Sequence, residues 1–503
     1  MLLSRIMGLA RQYFFSHFFG LSDAGDAFTQ AVKIPNLLQN LFGEGVLSAS
    51  FIPVYANLLA RREKALSQEV AGAIAAILGL VCSLLVLVGV LATPLLIDAI
   101  APGFHGAKRQ LTIQLVRIFF PGAGLLVMSA WCLGVLNSHR KFFLSYTAPV
   151  IWNVAMIATL VWFGPRSSES RLAAELAWGS VVGSALQMLV QLPPAFRLLG
   201  RVPLSLGRGS AEVRTVVRSF GPVFISRGVV QVSAYIDLMI ASWLPTGAVT
   251  ALGNAQLLYT LPISLFGMTI SAAELPAMSS LLGSDSEIAA QLRKRLNASL
   301  QRIAFFTVPS AMALLSLGDV IVGAALQSGR FKAADSIYVW KILAGSSIGL
   351  LASTMGRLYA STYYALKDTR TPLRFAAIRV VLTTALGYFC ALPLPRWLGI
   401  DPRLGAAGLT ATAGMAGWVE FVLLRRRLNQ RIGSTGLPVS VLARLWGAAL
   451  AAAAAAWAVK LGVGHQHPVV MAAAVLGPYG VVYLGGTYVM GVGSIRQFLG
   501  RRR

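Results

Sequence analysis

The chain has 503 residues, is 56% hydrophobic and only 12% charged, has a mean hydropathy of +0.69, and carries a formal charge of +25. A soluble domain carries about 25% charged residues, so this composition excludes an ordinary soluble fold. The basic residues form short clusters between apolar runs rather than a polar aromatic-basic surface, which excludes a nucleic-acid binder and points to the positive-inside pattern of a membrane protein.

Fourteen apolar segments are long enough to span a bilayer, each about 20 residues or more. In chain order they cover residues 2–20, 25–58, 69–101, 108–137, 142–163, 172–199, 212–243, 248–282, 288–326, 334–365, 371–392, 404–430, 438–462 and 468–494. Tilt, or kinks at Pro35, Pro53, Pro222, Pro262 and Pro276, would absorb the excess length. The alternating pattern of a membrane barrel is absent. The expected class is an all-α polytopic membrane protein.

The first two segments are unusual. Arg5, Arg11, Asp23, Asp26, Lys33 and Glu44 sit among residues otherwise suited to lipid. Each ionisable group at membrane depth costs about 2.5–3.5 kcal/mol on insertion scales, and such groups face a cavity or a partner. A polar, cationic chamber inside the bilayer is expected. No small-residue cleavage site follows the first segment cleanly, so it is expected to stay in the mature protein, with a few residues absent upstream of its abrupt start.

Loops after even-numbered segments carry about 23 basic residues, counting the tail, and loops after odd-numbered ones about 8. Both termini are therefore expected in the cytoplasm. Leu41-Phe42-Gly43 with Pro53 is echoed by Leu265-Phe266-Gly267 with Pro276, Ser145 to Pro149 by Asp368 to Pro372, and Ser4-Arg5 by Ser226-Arg227. The common offset of about 223 residues implies two copies of six segments, related by a pseudo-two-fold axis along the membrane normal. The expected division is an N-terminal lobe at 1–205, a C-terminal lobe at 206–432, and two additional helices with a basic tail at 433–503.

Enzymatic signals are absent. Leu206 to Ser210 lacks the phosphate-loop spacing. Cys82, Cys132 and Cys390 have no metal-ligand spacing and read as small buried hydrophobes. His465 and His467 sit in an expected outer loop and are not read as a metal site.

The N-terminal block Ser4-Arg5, Gly8, Arg11, Phe19-Gly20, Asp26-Ala27-Phe28, Pro35-Asn36-Leu37, Glu44-Gly45 and Phe51-Ile52-Pro53 resembles the MurJ (MviN) lipid II flippases of the MOP exporter superfamily. Ala101 to Phe104, Gln191-Leu192-Pro193, Gly329-Arg330-Phe331 and Lys367 to Pro372 extend the resemblance over nearly the whole chain. It implies a transporter of the bacterial cytoplasmic membrane, not an enzyme. Such a protein moves lipid II, or a related undecaprenyl-diphosphate-linked glycan, from the inner to the outer leaflet by alternating access. The final two helices would guide the lipid tail, and cell-wall synthesis proteins would be partners alongside membrane lipids. Export of another polyprenyl-diphosphate saccharide, a cation-coupled drug exporter, and a non-transporting scaffold of envelope synthesis are the alternatives. No cofactor or metal is implied; membrane potential or a monovalent cation is the candidate energy source.

Arginine suits a diphosphate, because its fork makes two hydrogen bonds and stays charged. Arg5, Arg11, Asp26, Lys33, Asn36 and Arg227 are the expected substrate-binding residues; Glu44, Asp237 and Glu274 are expected to gate or couple. Arg5 and Arg11, six residues apart, would converge through a break near Gly8 or line two walls of the chamber. Asp23 reads as a solvated loop carboxylate. Where the family usually carries an arginine pair this chain has Gln39-Asn40, and where it carries another it has Leu257, with Thr260 in place of a frequent carboxylate. Arg227 is expected to restore part of the missing charge. Its pairing with Asp237 is excluded by about 15 Å of helix rise.

Overall fold

The computed structural model describes residues 2–492 apart from 201, 204, 208 and 465; the side chains at 2, 35, 44–45, 145–146 and 222–234 also lie outside the described residues. Two of the expected site residues, Glu44 and Arg227, fall in that last group. The chain is helical throughout, in the order α1 (Leu2–Phe19), α2 (Asp23–Ala31), α3 (Lys33–Phe42), α4 (Glu44–Ala60), α5 (Lys64–Ile100), α6 (Gly106–Ser138), α7 (Phe142–Phe163), α8 (Glu169–Leu199), α9 (Ala211–Ser242), α10 (Ala248–Pro262), a π turn (Ile263–Met268), α11 (Thr269–Ser279), α12 (Asp285–Ser316), α13 (Gly318–Leu326), α14 (Ala333–Ser347), α15 (Leu350–Ala365), α16 (Arg370–Ala391), α17 (Pro393–Leu398), a 3-10 turn (Pro402–Leu404), α18 (Gly405–Ile432), α19 (Val439–Val463) and α20 (Pro468–Val489).

Ten of these segments are long and apolar enough to cross a membrane, and α14 with α15, bent by 43°, makes an eleventh. Three of the fourteen expected segments are not among these eleven. The expected first span, α1, is polar at Arg5, Arg11, Gln12 and His17. The expected second span, 25–58, is divided into helices of 9, 10 and 17 residues, each too short by itself. The expected seventh, α9, is an unbroken helix of 32 residues, and positions 222–234 in its middle are among those whose side chains lie outside the described residues. The first and second expected spans, which fall short by length and composition, are also laden with ionisable groups. Of the two arrangements open to Arg5 and Arg11, convergence through a break at Gly8 is not the one found: α1 runs unbroken through it.

By its internal contacts the chain divides into two compact units, Met1–Thr250 with Ser328–Phe331, and Ala251–Gln327 with Lys332–Arg503. In the first, Leu47, Phe51, Tyr55 and Leu58 of α4 pack against Val70 to Cys82 of α5, Val127 to Val135 of α6, and Ala195 and Leu199 of α8. Ser22 caps α2 by accepting from the Gly25 amide at 3.2 Å, and Ser210 caps α9 through the Val213 amide. The segment Ser328–Phe331 lies against the end of α1. Its Arg330 amide donates to the His17 carbonyl at 2.9 Å, its Ser328 hydroxyl is 3.1 Å from His17 Nδ1, and Arg330 pairs with Glu169. Gly20 and Gly329, both in the left-handed region at φ +54°, make this approach; a Cβ at Gly329 would lie 2.4 Å from the His17 carbonyl oxygen.

The second unit is built on α12, α15 and α18, with α19 and α20 packed against α12. Ser284 and Glu287 form a capping box at the start of α12. Pro309 removes the amide that would bond the Phe305 carbonyl, and the Tyr483 hydroxyl of α20 donates to that carbonyl at 2.6 Å; Tyr479 donates to the Pro309 carbonyl at 2.7 Å. Leu445, Ala448, Ala449, Ala452, Ala453 and Ala456 form a buried stripe of mostly small side chains on α19, the residue type that lets membrane helices approach closely.

The repeated motif interrupts a helix in both copies. Leu41-Phe42-Gly43 is the junction of α3 and α4, and Leu265-Phe266-Gly267 lies in the π turn. The second echo is placed differently: Pro149 is well inside α7, whereas Pro372 is in the first turn of α16.

Candidate functional site

Two kinds of charged site lie in the first unit. One is closed. Asp26, in the first turn of α2, is 1% exposed, and its carboxylate accepts from Lys108 Nζ at 2.7 Å, the Gly247 amide at 2.7 Å, and the Thr250 amide and hydroxyl, each at 2.8 Å. Gly247 immediately precedes α10 and Thr250 lies in its first turn, where free amides form an anion-binding helix start. Asp26 therefore caps the start of α10 from α2. Lys108 also reaches Asp23 at 2.9 Å, and Thr246 donates to Asp23 at 2.9 Å. Asp23 is 61% exposed, yet it is no free loop carboxylate. Partial burial opposes its ionisation, and the bonds from Lys108 and Thr246 outweigh that, holding its carboxyl below the ordinary range. Gln30, buried one turn further along α2, donates to the Ile100 carbonyl at 2.8 Å.

The other site is open. Arg11 on α1 is half-buried, stacked over the Trp152 ring at 4.8 Å with Nη1 3.9 Å from the Met156 sulfur. Trp152 is held by its own indole bond to Ser180, 3.1 Å. Lys33, at the start of α3, is also half-buried and lies within electrostatic reach of Arg11. Among the described residues no carboxylate comes within ion-pair distance of either. The Lys33 backbone is fixed by Tyr235 of α9, whose hydroxyl donates to its carbonyl at 2.5 Å. The chain thus holds two like charges together with an aromatic face behind one of them. That arrangement suits a multivalent anion.

Of the remaining expected residues, Arg5 is exposed near the start of α1, about 9 Å along the helix from Arg11. Asn36 is half-buried one turn beyond Lys33, and Asp237 is half-buried on α9. Glu274 lies in the second unit, where it pairs with Arg295 of α12 at 3.5 Å. The structure therefore brings together Arg11 and Lys33, gives Asp26 a full set of protein partners, and keeps Glu274 in a separate cluster.

The sequence reading missed a polar group in the second unit. Arg379 of α16 pairs with Glu420 of α18 at 3.0 Å, and Tyr259 of α10 donates to Ser353 of α15 at 3.2 Å. Arg357, one turn from Ser353, is exposed and within electrostatic reach of both Tyr259 and Arg379. Glu420 balances one arginine and leaves one net positive charge. Leu257, where the resemblance implies an arginine, is two residues from Tyr259. The charge absent from α10 is thus present beside it on α15. The signal was available: Arg357, Arg379 and Glu420 each interrupt an apolar segment.

A family profile described as "MurJ: Lipid II flippase MurJ" matches residues 15–477. A lipid II flippase MurJ of Burkholderia cenocepacia is 32% identical over 438 residues, covering 86% of this chain and 82% of its own. A probable lipid II flippase MurJ of Rhizobium meliloti is 31% identical over 474 residues, covering 92% and 84%. Among solved structures, "Lipid II flippase MurJ, inward closed conformation" superposes with a TM-score of 0.79 at 21% identity, over 99% of this chain and 98% of that one. An inward-facing multidrug resistance MATE family transporter of the MOP superfamily superposes at 0.67 with 15% identity, over 86% and 96%.

Proposed function

This chain belongs to the MurJ lipid II flippase family, and on that premise we propose that it moves lipid II across the bacterial cytoplasmic membrane by alternating access. It is a multi-pass membrane protein of a transporter family, not an enzyme. In this reading it crosses the membrane fourteen times with both termini in the cytoplasm. Residues 1–205 and 206–432 are the two lobes, and 433–503 the lipid-tail helices and tail.

The observation that carries the reading is the Arg11–Lys33 pair. A diphosphate crossing hydrocarbon loses its hydration at prohibitive cost unless donors and positive charge replace the water. Arg11 supplies a fork for one phosphate, and Lys33 supplies a point charge beside it. Neither has a described carboxylate to displace first. The indole of Trp152 fixes the guanidinium plane without neutralising it. Arg357 supplies a further cation in the second unit. The MATE likeness is one of fold; an exporter of cationic drugs would be served by acidic groups, and the open charges here are basic. The energy source in this reading is the membrane potential, worth about 2.3 kcal/mol per charge per 100 mV, or a monovalent cation, with no cofactor.

Purified protein in liposomes, offered lipid II or an undecaprenyl-diphosphate O-antigen unit, tests the cargo. Lipid II should flip, and Arg11→Ala should slow flipping roughly tenfold to a hundredfold at equal protein content. Movement of the O-antigen unit alone would reassign the cargo, and movement of neither by folded protein would favour a scaffold.

A further inference from the structure

A further cationic group of the first unit, on α6, has no part in the roles assigned above. Gln110, Gln114 and Arg117 recur at helical spacing on α6 and line a groove of about 610 Å³ with Ile113, Ile118 and Trp178 of α8. Arg117 is the ionisable residue furthest inside α6, about 16 Å along the axis from Gly106. The other two cations of this helix are committed: Lys108 to Asp26 and Asp23, and Arg109 in a two-bond pair with Asp98 at 2.7 and 2.9 Å. Among the described residues no carboxylate lies within ion-pair distance of Arg117. Its Nε instead reaches the Val90 carbonyl at 3.4 Å, the carbonyl that Pro94 leaves without its helical amide.

The helices that meet at the groove carry exposed apolar side chains: Leu87, Leu91 and Leu95 on α5, whose Val90 carbonyl Arg117 reaches, and Trp178, Val182 and Leu186 on α8. Such faces are suited to acyl chains. An arginine with two amide side chains in the floor of an apolar-walled groove is costly in bare hydrocarbon, and the phosphodiester of an amphiphile satisfies it. We propose that this groove binds one anionic glycerophospholipid of the surrounding bilayer, with its phosphodiester on Arg117 and the Gln110 and Gln114 amides, and an acyl chain along Ile113, Ile118 and Trp178. The guanidinium fork fits a phosphate, the amides fit a glycerol headgroup, and the net positive charge selects an anionic over a zwitterionic lipid. This site holds a resident lipid and does not depend on the cargo assignment.

The full-length protein in nanodiscs made with phosphatidylglycerol or phosphatidylcholine tests it by native mass spectrometry after detergent release. The wild type should retain one phosphatidylglycerol in at least tenfold excess over phosphatidylcholine, and Arg117→Gln should erase that excess. Brominated phosphatidylglycerol should quench wild-type tryptophan fluorescence more than the Trp178→Phe variant's. Arg117→Lys, which keeps the charge without the fork, should retain an intermediate excess and guards against a folding defect in Arg117→Gln. Equal retention of the two lipids by the wild type, or an unchanged excess in folded Arg117→Gln, would overturn the proposal. Displacement of phosphatidylglycerol by equimolar lipid II would overturn the resident-lipid assignment and make the groove a cargo site.

Discussion

Asp26 and the Arg11–Lys33 pair are both charged groups of the first unit on segments expected to lie in the membrane, and they have opposite environments. Asp26 accepts four bonds from three residues distant in the chain. Arg11 has an indole face and a sulfur, and Lys33 has a like charge for company. A buried charge with every lone pair met holds helices together. A charge left with weak or repulsive neighbours is maintained at a cost in stability, and that cost is explicable where a ligand completes it.

The contrast can be broken first at Asp26. Asp26→Ala leaves Lys108 facing only Asp23 and removes the cap of α10. A loss of about 3–5 kcal/mol is expected, as for other broken buried pairs. It should appear as a large drop in melting temperature in detergent and in membrane protein level. A double-mutant cycle with Lys108→Met should show strong coupling; independent effects would dissolve the distinction.

The open pair should behave the other way. Arg11→Ala or Lys33→Ala should leave the melting temperature unchanged or raised, while rescue of flippase-depleted cells falls. A charged hydrogen bond is worth about 1.5–3 kcal/mol, so flipping should decline roughly tenfold to a hundredfold. Normal rescue by both variants at wild-type protein level would remove the pair from the mechanism.

Tyr483→Phe probes a neutral bond of the second unit. It strips the Phe305 carbonyl of its donor at the Pro309 kink, and a loss of about 1–3 kcal/mol in thermal stability is expected. Transport per folded molecule should be retained.

The smallest effect is that of pH. Asp23 and Asp368 both have carboxyls held below their ordinary range. For Asp23 the bonds from Lys108 and Thr246 overcome the opposing effect of burial; for Asp368 the Thr371 amide is the leading cause, with Arg431 among the others. A depressed carboxyl pKa contributes stability above the unfolded value, near 4, and loses it as pH falls through the folded value. Melting temperatures should therefore be insensitive to these groups from pH 5 to 8 and fall only in stronger acid. A titration centred near pH 6 would point to another group.

Much of the helical architecture was legible because apolar runs such as those of α5 to α8 announce themselves. The breaks within 25–58 were harder to read. Gly43, at ψ −140°, ends α3, but a lone glycine in an apolar run does not by itself mark a break. Asp26 was legible as unusual, not as satisfied, because its partners lie 82 to 224 residues away. Arg357 and Arg379 were visible in the sequence, but their association with Tyr259 and Glu420 is a product of packing between four helices.

The π turn at Ile263–Met268 makes one part of the chain unusually tolerant of a change in length. Deleting a residue from a regular α-helix rotates everything beyond it by about 100° and shifts it by about 1.5 Å. A π turn holds a residue more than α winding needs. Loss of one residue there can be taken up by rewinding, so that α11 keeps its facing toward α15. A single-residue deletion scan across Ala248–Ser279 should find its most permissive point within these six residues.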